Sequence, residues 1–160
     1  MTAEEYNDAV YQYSDGIYRF ILKNIRDEEK ARDIVQDSYE KLWVHHQQVA
    51  AQTVKSYLYS TAYHRFIDMI RKDSRLSLTE THATETVHTD QYTDLTEVLH
   101  RAIGLLPNDQ RSVLMLRDYE GYSYKEIAGI TRLSEAQVKV YIYRARMFMK
   151  NYIRKIDVLI

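Results

Sequence analysis

Cysteine is absent from the 160-residue sequence, which also contains only one proline and four glycines. Without cysteine no disulfide framework can hold the fold, and the chain is compatible with a reducing compartment. Scarce proline and glycine permit long helices and disfavour a turn-rich β architecture. No apolar run approaches the length of a membrane span, and the N-terminus does not read as a signal peptide. We therefore expect an all-α, soluble, cytoplasmic protein that does not insert directly into a membrane.

The net charge of −1 conceals three segments of different charge. Residues 1–74 carry 10 basic and 12 acidic side chains, residues 75–94 carry one and four, and residues 95–160 carry 11 and seven. The C-terminal segment is therefore suited to a polyanion, and the middle segment repels one. The middle segment also contains six threonines and breaks the helical periodicity. We interpret residues 75–94 as a flexible acidic linker that joins two small helical domains, 1–74 and 95–160.

The most informative stretch is 139–155, which contains six basic residues and no acidic one. At helical spacing Lys139, Arg146 and Lys150 fall on one face, while Val138 and Ile142 fall on a neighbouring face. The pattern predicts a helix with one side for a hydrophobic core and one side for a polyanion. The alternative is an ordinary core helix whose basic face is simply solvated.

Capping signals predict where this helix and the one before it begin. Ser134 and Gln137 form a capping box, and Ser123 and Glu126 form a second one ahead of a short helix that ends near Ile130. Two helices joined by about four residues, the second of them basic, are the helix-turn-helix pattern. In that motif the N-terminal turn of the second helix enters the major groove of DNA.

Five further helices are predicted from apolar residues at helical spacing, over 3–26, 28–44, 54–72, 95–105 and 108–119. The helix over 28–44 has a core stripe that includes Ile34, Leu42 and Trp43. Its opposite face carries Glu29, Asp33, Gln36, Asp37 and Glu40. This face is a solvated surface, a docking surface for a basic partner, or one half of a carboxylate metal site. The metal alternative needs a second carboxylate helix, and no other predicted helix supplies one.

The helix over 54–72 interleaves tyrosines with basic residues. Tyr59 and Tyr63 lie near Arg65, Arg71 and Lys72 in the sequence. Aromatic rings beside cations suit single-stranded nucleic acid, because bases stack on the rings and phosphates pair with the cations. Aromatic residues on a helix more often belong to a core, so this pattern by itself decides nothing.

Three segments, in this order, resemble the extracytoplasmic-function group of the sigma-70 family, the small alternative sigma factors of bacterial RNA polymerase. ARDIVQDSYEKLW resembles the polymerase-docking helix of sigma region 2, and SYLYSTAYHRFIDMIRK resembles the helix that melts the promoter and recognises its −10 element. LPNDQRSVLMLRDYEGYSYKEIAGITRLSEAQVKVYIYRAR resembles region 4 with its −35-reading helix-turn-helix. The likeness covers nearly the whole chain and implies a three-helix region 2 domain and a helix-turn-helix region 4 domain.

The resemblance implies a promoter-specificity subunit with no catalysis and no cofactor or metal. Its implied partners are core RNA polymerase (the clamp of the largest subunit and the flap of the second subunit), promoter DNA and an anti-sigma factor. The implied polymerase-binding residues are Asp33, Gln36, Asp37 and Glu40. The residues implied for the −10 element and strand separation are His46, Gln47, Gln48, Tyr59, Tyr63, Arg65, Arg71 and Lys72. The residues implied for the −35 element are Ser134, Glu135, Ala136, Gln137, Lys139, Val140, Tyr143, Arg144 and Arg146.

Two positions depart from the pattern of the family. Tyr63 and His64 stand where the family has arginine and asparagine, which bears on base choice near the −10 element. Arg132 stands where the turn of the helix-turn-helix usually has glycine. If the backbone is left-handed there, an arginine costs about 1 kcal/mol.

Two other functions compete with this interpretation. A stand-alone DNA-binding regulator would bind a palindromic site without polymerase. An all-α hydrolase would use the carboxylate face of 28–44 and a divalent metal. The sequence shows no arrangement of nucleophile, base and orienting group, which argues against the hydrolase.

Overall fold

The computed structural model describes residues 1–76 and 95–159, and in these ranges the chain folds as helices without a strand. The N-terminal range contains α1 (Ala3–Ile25), α2 (Glu28–Val44), a short 3-10 turn (Ala51–Thr53) and α3 (Val54–Leu76). The C-terminal range contains α4 (Leu95–Leu105), α5 (Asn108–Asp118), α6 (Tyr124–Thr131) and α7 (Glu135–Leu159). The predicted all-α fold is confirmed. Helix α3 runs into the start of the predicted linker, and the remainder of that segment, 77–94, lies outside the described residues.

The helices begin where the sequence supplies capping side chains. The Thr2 hydroxyl accepts from the Glu5 amide at the start of α1, and Asp27 accepts from the Lys30 amide at the start of α2, both at 3.1 Å. The predicted box of Ser123 and Glu126 is formed at the start of α6, because each side chain bonds the backbone amide of the other. Such caps satisfy backbone donors that have no partner within the helix.

Helices α1, α2 and α3 form a three-helix bundle around aliphatic and aromatic side chains. Its fully buried residues include Ile17 and Ile21 of α1, Ile34 and Leu42 of α2, and Phe66 of α3. Tyr39 also lies in this core, and its hydroxyl donates to the Ala9 carbonyl at 3.2 Å. Burying side chains of this size contributes about 1.5–3 kcal/mol each, so this core is the main source of the bundle's stability.

The prediction that Trp43 belongs to the core stripe of α2 is wrong. The side chain is 46% exposed and stacks on His46, with ring centroids 4.6 Å apart and planes at 12°. Tyr6 contacts it edge-on at 5.1 Å. Trp43 lies in the last turn of α2, beyond the buried Leu42, so the bundle covers only part of its ring.

Helices α4 to α7 form a second helical group. Helices α4 and α5 pack against α7, and α6 packs against α7 to complete the helix-turn-helix. Leu116 of α5, Ile127 of α6 and Ala145 of α7 are fully buried at the centre of this group. The apolar face of α7 therefore points inward and leaves its basic face to solvent.

The two helical groups are in contact and share one continuous hydrophobic core. Helix α3 packs against α6, and α1 packs against α5. The sequence had predicted two separate bodies and did not address how they sit relative to each other. In the structure the aromatic side chains of α3 join the two groups.

Arg111 of α5 is a buried cation that ties the two groups together. Its guanidinium donates to the carbonyls of Ile103, Gly104 and Leu106 in the α4–α5 turn, and also to the Asn24 carbonyl at the end of α1. Burial lowers the pKa of Arg111 to about 10, and nearby Arg26 acts in the same direction. The side chain therefore stays charged at neutral pH and satisfies carbonyls that the helix ends leave free.

We expect Arg111→Ala to lower the free energy of unfolding by about 3 kcal/mol, because several buried carbonyls lose a charged donor. Urea unfolding followed by circular dichroism measures the change. Arg32→Ala is the control: Arg32 is a largely exposed cation in an i,i+4 pair with Glu28, and its loss should cost under about 0.5 kcal/mol. Equal losses in the two variants would contradict the structural role of Arg111.

Candidate nucleic-acid and polymerase interfaces

The nine residues predicted for the −35 element lie together at the N-terminal part of α7, and all of them are exposed. Ser134 caps the helix, since its hydroxyl accepts from the Gln137 amide at 3.1 Å while the Gln137 side chain accepts from the Ser134 amide at 3.0 Å. The predicted capping box is therefore formed. It occupies the amide oxygen of Gln137 and leaves the NH₂ group of that side chain available to a base edge.

The turn between α6 and α7 has a left-handed backbone at Arg132, the conformation in which the sequence analysis expected an arginine to be strained. Arg132 has φ of +62° and closes α6, with its backbone amide donating to the Ala128 carbonyl at 2.8 Å. Thr131 is buried and supports the turn, because its hydroxyl donates to the Ile127 carbonyl and accepts from the Leu133 amide. The turn is formed with arginine in place, and the strain remains in the fold.

The cations of α7 differ in their partners. Arg146 donates to the Asp118 carboxylate at 2.8 Å, and this bond raises the pKa of Arg146. Lys139 lies over the ring of Tyr124, with 6.0 Å between its ammonium and the ring centroid. Arg144 is exposed and has no ion-pair partner among the side chains that the structure describes, 1–74 and 95–156. We therefore expect Arg144 to be the cation that phosphate reaches most directly.

The acidic face of α2 is on the surface of the bundle. Asp33, Gln36 and Glu40 are exposed, and Asp37 is partly buried. The Asp37 carboxylate accepts from Arg65 Nε of α3 at 3.1 Å. The sequence had assigned these two residues to different interfaces, and the structure brings them together as an ion pair.

The metal alternative requires a second group of carboxylates facing those of α2. In the part of the chain that the structure describes, no group of three or more His, Cys, Asp or Glu side chains is placed to hold a metal ion. The nearest charged partner that the structure gives this face is Arg65, a cation. The arrangement suits a basic protein surface better than a metal.

Apart from Arg65, which pairs with Asp37, the residues predicted for the −10 element fall into three places. Arg71 and Lys72 are exposed near the end of α3, while Gln47 and Gln48 are exposed in the loop after α2. His46 also lies in that loop, where it stacks on Trp43 and its carbonyl accepts from the N-terminal amine of Met1 at 3.1 Å.

The third place is the buried side of α3, where Tyr59 and Tyr63 are only 1% and 4% exposed. Burial raises the pKa of Tyr63 to about 12, and the charge of Asp109 on α5 adds to the effect. Both side chains thus lie in the core between the helical groups, and their predicted role in strand handling remains a prediction.

A cleft of about 700 Å³ lies beside the loop after α2, and Gln48 is among the residues that line it. The loop after α2 and the start of α3 form one wall, and Glu126, Gly129 and Ile130 of α6 form the other. The loop that carries His46, Gln47 and Gln48 therefore opens towards α6 in this arrangement.

Glu120 and Tyr122, which the sequence analysis did not single out, are central to the contact between the groups. The Glu120 carboxylate binds Lys55 of α3 and the Tyr59 hydroxyl, and the ring of Tyr122 lies beside them. Helical periodicity carries no signal for Glu120, because it lies in the turn after α5. The sequence did contain one sign of this contact, the glycine at position 16 in the interior of α1. In the structure Gly16 lies directly beneath the Tyr59 hydroxyl.

Within the described ranges, no helix has the length and hydropathy needed to cross a lipid bilayer.

The exposed basic face of α7, presented by a helix-turn-helix, is the arrangement of a DNA-binding protein. Comparison with known families identifies the class further. Residues 9–76 match the model of Sigma-70 region 2, and residues 96–149 match that of Sigma-70, region 4. Both parts of the family therefore occur in their expected order.

Individual relatives agree with these matches. The chain is 29% identical over 153 residues to the ECF RNA polymerase sigma factor SigM of Bacillus subtilis (strain 168), covering 89% of this chain and 92% of that protein. It is 28% identical over 158 residues to the RNA polymerase sigma factor YlaC of the same bacterium, covering 92% of this chain and 91% of that protein. The chain belongs to the sigma-70 family, in its extracytoplasmic-function (ECF) group.

A solved structure shares the fold. The sigma factor RpoE from Bartonella quintana, crystallised in complex with the anti-sigma factor NepR, superposes with a TM-score of 0.79 at 22% identity. The match covers 95% of this chain and 98% of that one, so it includes both helical groups.

We expect Arg132→Gly to raise the free energy of unfolding by about 0.5–1 kcal/mol, because glycine adopts the left-handed backbone of the turn without strain. Lys150→Gly is the matched control, an exposed cation in the interior of α7, and it should lower stability by about 1 kcal/mol. Thermal and urea unfolding measure both. If Arg132→Gly destabilised the protein as much as the control, the turn would not be strained.

Proposed function

We propose that this protein is a sigma factor that binds core RNA polymerase and directs promoter-specific initiation. It recognises the −35 and −10 elements and assists melting of the duplex. The observation that carries the proposal is the presence, on one chain, of an exposed basic recognition helix and a separate acidic docking face. Membership of the ECF group supports it.

Helix α7 supplies the contacts to the −35 element. Its first turns expose Glu135, Ala136 and Gln137, the positions that face base edges when a recognition helix enters the major groove. Lys139 and Arg144 follow within the next turns and are suited to phosphates. Phosphate contacts position the protein, whereas base contacts give it sequence preference.

The acidic face of α2 docks on the clamp of the polymerase. Asp33, Gln36 and Glu40 are accessible, and Asp37 can exchange its partner Arg65 for a cation of the clamp. An exposed ion pair contributes only about 0–1 kcal/mol, so this exchange is inexpensive. Docking through α2 and through the flap fixes the two DNA-reading elements at a set spacing, which multiplies their separate affinities.

The −10 element is handled by the loop after α2 and by α3. Trapping unstacked bases in a protein pocket offsets the few kcal/mol that unstacking costs, and the cations Arg71 and Lys72 attract the separated strand. The protein contributes binding and positioning, and the polymerase performs the catalysis, so we assign no enzymatic activity to the chain. The proposed site of action is the cytoplasm, where the polymerase transcribes.

The fold is shared with a sigma factor that was crystallised with an anti-sigma factor. We propose that this chain also has an anti-sigma partner, which covers the same surfaces.

The function can be tested by separating the two interfaces. We expect Lys139→Ala and Arg144→Ala each to lower promoter use by about tenfold, the equivalent of one lost DNA contact, and to leave polymerase binding intact. In vitro transcription with core enzyme on a promoter library measures promoter use, and co-purification with core enzyme measures docking. The control is Arg19→Ala, which removes an exposed cation on α1 and should change neither promoter use nor polymerase binding.

Asp33→Arg should produce the reverse pattern, with loss of polymerase binding and an unchanged fold. Asp15→Arg makes the same charge change at an exposed position on α1 and should retain binding. Well-folded protein that directs core enzyme to no start site would contradict the proposal. DNA binding to a palindromic site without polymerase would indicate a stand-alone regulator instead.

A further inference from the structure

The outermost line of α7 is apolar, although the side of a helix that points away from the core is normally polar. Ala136, Val140 and Tyr143 follow one another at steps of four and three, opposite the buried Val138 and Ile142. Val140 is 43% exposed and Tyr143 is 66% exposed. We call Ala136, Val140 and Tyr143 the apolar ridge. Its position indicates that the ridge makes a contact outside its own helical group.

Cations lie on both sides of the apolar ridge and leave it uncovered. On one side Lys139 lies over the Tyr124 ring, 6.0 Å from its centroid, and Arg146 donates to Asp118 at 2.8 Å. Asp118 ends α5 and Tyr124 begins α6, so these partners draw both cations away from the ridge. Arg144 is exposed on the other side. An apolar line between cations fits the major groove, whose floor carries base edges and whose walls carry phosphates, so the charges favour duplex DNA over a protein as the occupant.

Gln137 lies beside the ridge, three residues before Val140, and its side chain offers a base only donors. The Gln137 amide oxygen accepts from the Ser134 amide at 3.0 Å, so the capping box commits that oxygen to the start of the helix. Glutamine reads adenine with both ends of its amide, which bond N6 and N7 of the base together. With its oxygen turned back to Ser134, Gln137 has its NH₂ group left for a base, and this group needs an acceptor.

Thymine is the base whose major-groove edge matches these two side chains. It presents the O4 acceptor next to the C5-methyl group, whereas guanine presents acceptors without a methyl group, and adenine and cytosine each present a donor. The donor of Gln137 beside the methyl groups of Val140 is therefore complementary to thymine. Ala136 and Tyr143 extend the apolar contact to neighbouring bases, because the ridge covers about 10 Å of the helix axis, roughly three base-pair steps.

We propose that Gln137 and Val140 form a thymine-reading site on α7, in which the Gln137 NH₂ group donates to thymine O4 and Val140 contacts the C5-methyl group. The inference rests on the proposed function and names a base that the −35 contact prefers. Deoxyuracil differs from thymine only by lacking this methyl group. Covering one methyl group with an apolar side chain changes affinity by about fourfold, so the site should distinguish the two bases by that factor.

The first experiment finds the preferred duplex and then removes single methyl groups from it. The full chain selects sites from a random duplex library, once bound to core polymerase and once alone at low salt. Each thymine of the selected −35 element is then replaced by deoxyuridine. We expect at least one replacement to weaken binding of the unaltered protein about fourfold. In Val140→Ala the same replacement should have little effect, because the methyl group has lost its partner.

Two further variants serve as a control and as a test of the donor. Met147 is 40% exposed on the same outer line as Val140, but it lies two turns beyond Val140, past the turns that enter the groove. Met147→Ala should therefore keep the fourfold effect of deoxyuridine. Gln137→Glu retains an oxygen for the capping box and loses the NH₂ donor. This variant should lose the preference for thymine at that position and favour a base with a donor, cytosine or adenine.

The outcomes separate the failure of the thymine site from the failure of the proposed function. A deoxyuridine effect that Val140→Ala abolishes and Met147→Ala retains supports the proposal. A selected element without thymine, or an unaltered protein that binds deoxyuridine equally well, overturns it, and transcription from the promoter library can still succeed. If the chain alone shows the methyl effect but directs no transcription with core polymerase, the proposed function fails and the thymine site stands. Weaker co-purification of both Val140→Ala and Met147→Ala with core polymerase would make the ridge a protein-docking surface and overturn the proposal.

Discussion

Helix α3 carries more apolar surface than one three-helix bundle can cover, and the packing of the whole chain follows from this. Leu58, Ala62 and Phe66 are fully buried, while Tyr59 and Tyr63 extend the apolar surface round the helix to α5 and α6. A bundle of α1, α2 and α3 alone would leave part of these two rings in water, although Phe20 of α1 also contacts Tyr59. The hydrophobic effect therefore favours contact between the two helical groups whenever no partner covers the rings.

Some of the charged groups that suit external partners are already paired inside the chain. Arg65 binds Asp37, Arg146 binds Asp118, and Lys55 binds Glu120. The first two pairs are exposed enough that water and salt weaken them, and a phosphate or a basic protein surface replaces one partner at little cost. The third is more shielded and has an added donor in Tyr59, so it resists exchange more strongly. The Lys55–Glu120 pair is therefore the one of the three that an external partner displaces least easily.

Much of the fold was readable from local patterns. The caps at Ser123 and Ser134 are formed as predicted, because a capping box depends only on residues three positions apart. Arg132 has the left-handed backbone that the sequence analysis considered for this turn, because few backbone conformations can join the end of α6 to the start of α7. Trp43 was misplaced, because periodicity identifies the inward face of a helix but not whether another helix covers its last turn.

The candidate sites also differ in how much of each could be predicted from the sequence. The −35 residues of α7 form one exposed surface because they lie on a single helix. The spacing of apolar and polar residues along that helix indicates which face is exposed. The −10 residues come from a loop and from positions along α3, and the accessibility of those on α3 depends on what packs against that helix. Glu120 could not be identified as the partner of Lys55 and Tyr59, because the pairing joins positions more than sixty residues apart and leaves no periodic signal.

The sequence by itself determined the helices, their caps, the basic recognition face and the family, because each depends on interactions between residues close in the chain or on motifs in a fixed order. Only the tertiary structure decided that the tyrosines of α3 lie in a shared core and that Gly16 and Glu120 serve the same contact. The physical reason is that local spacing fixes which side of a helix is apolar, whereas the neighbour that covers that side is selected by the burial and charge pairing of the whole chain.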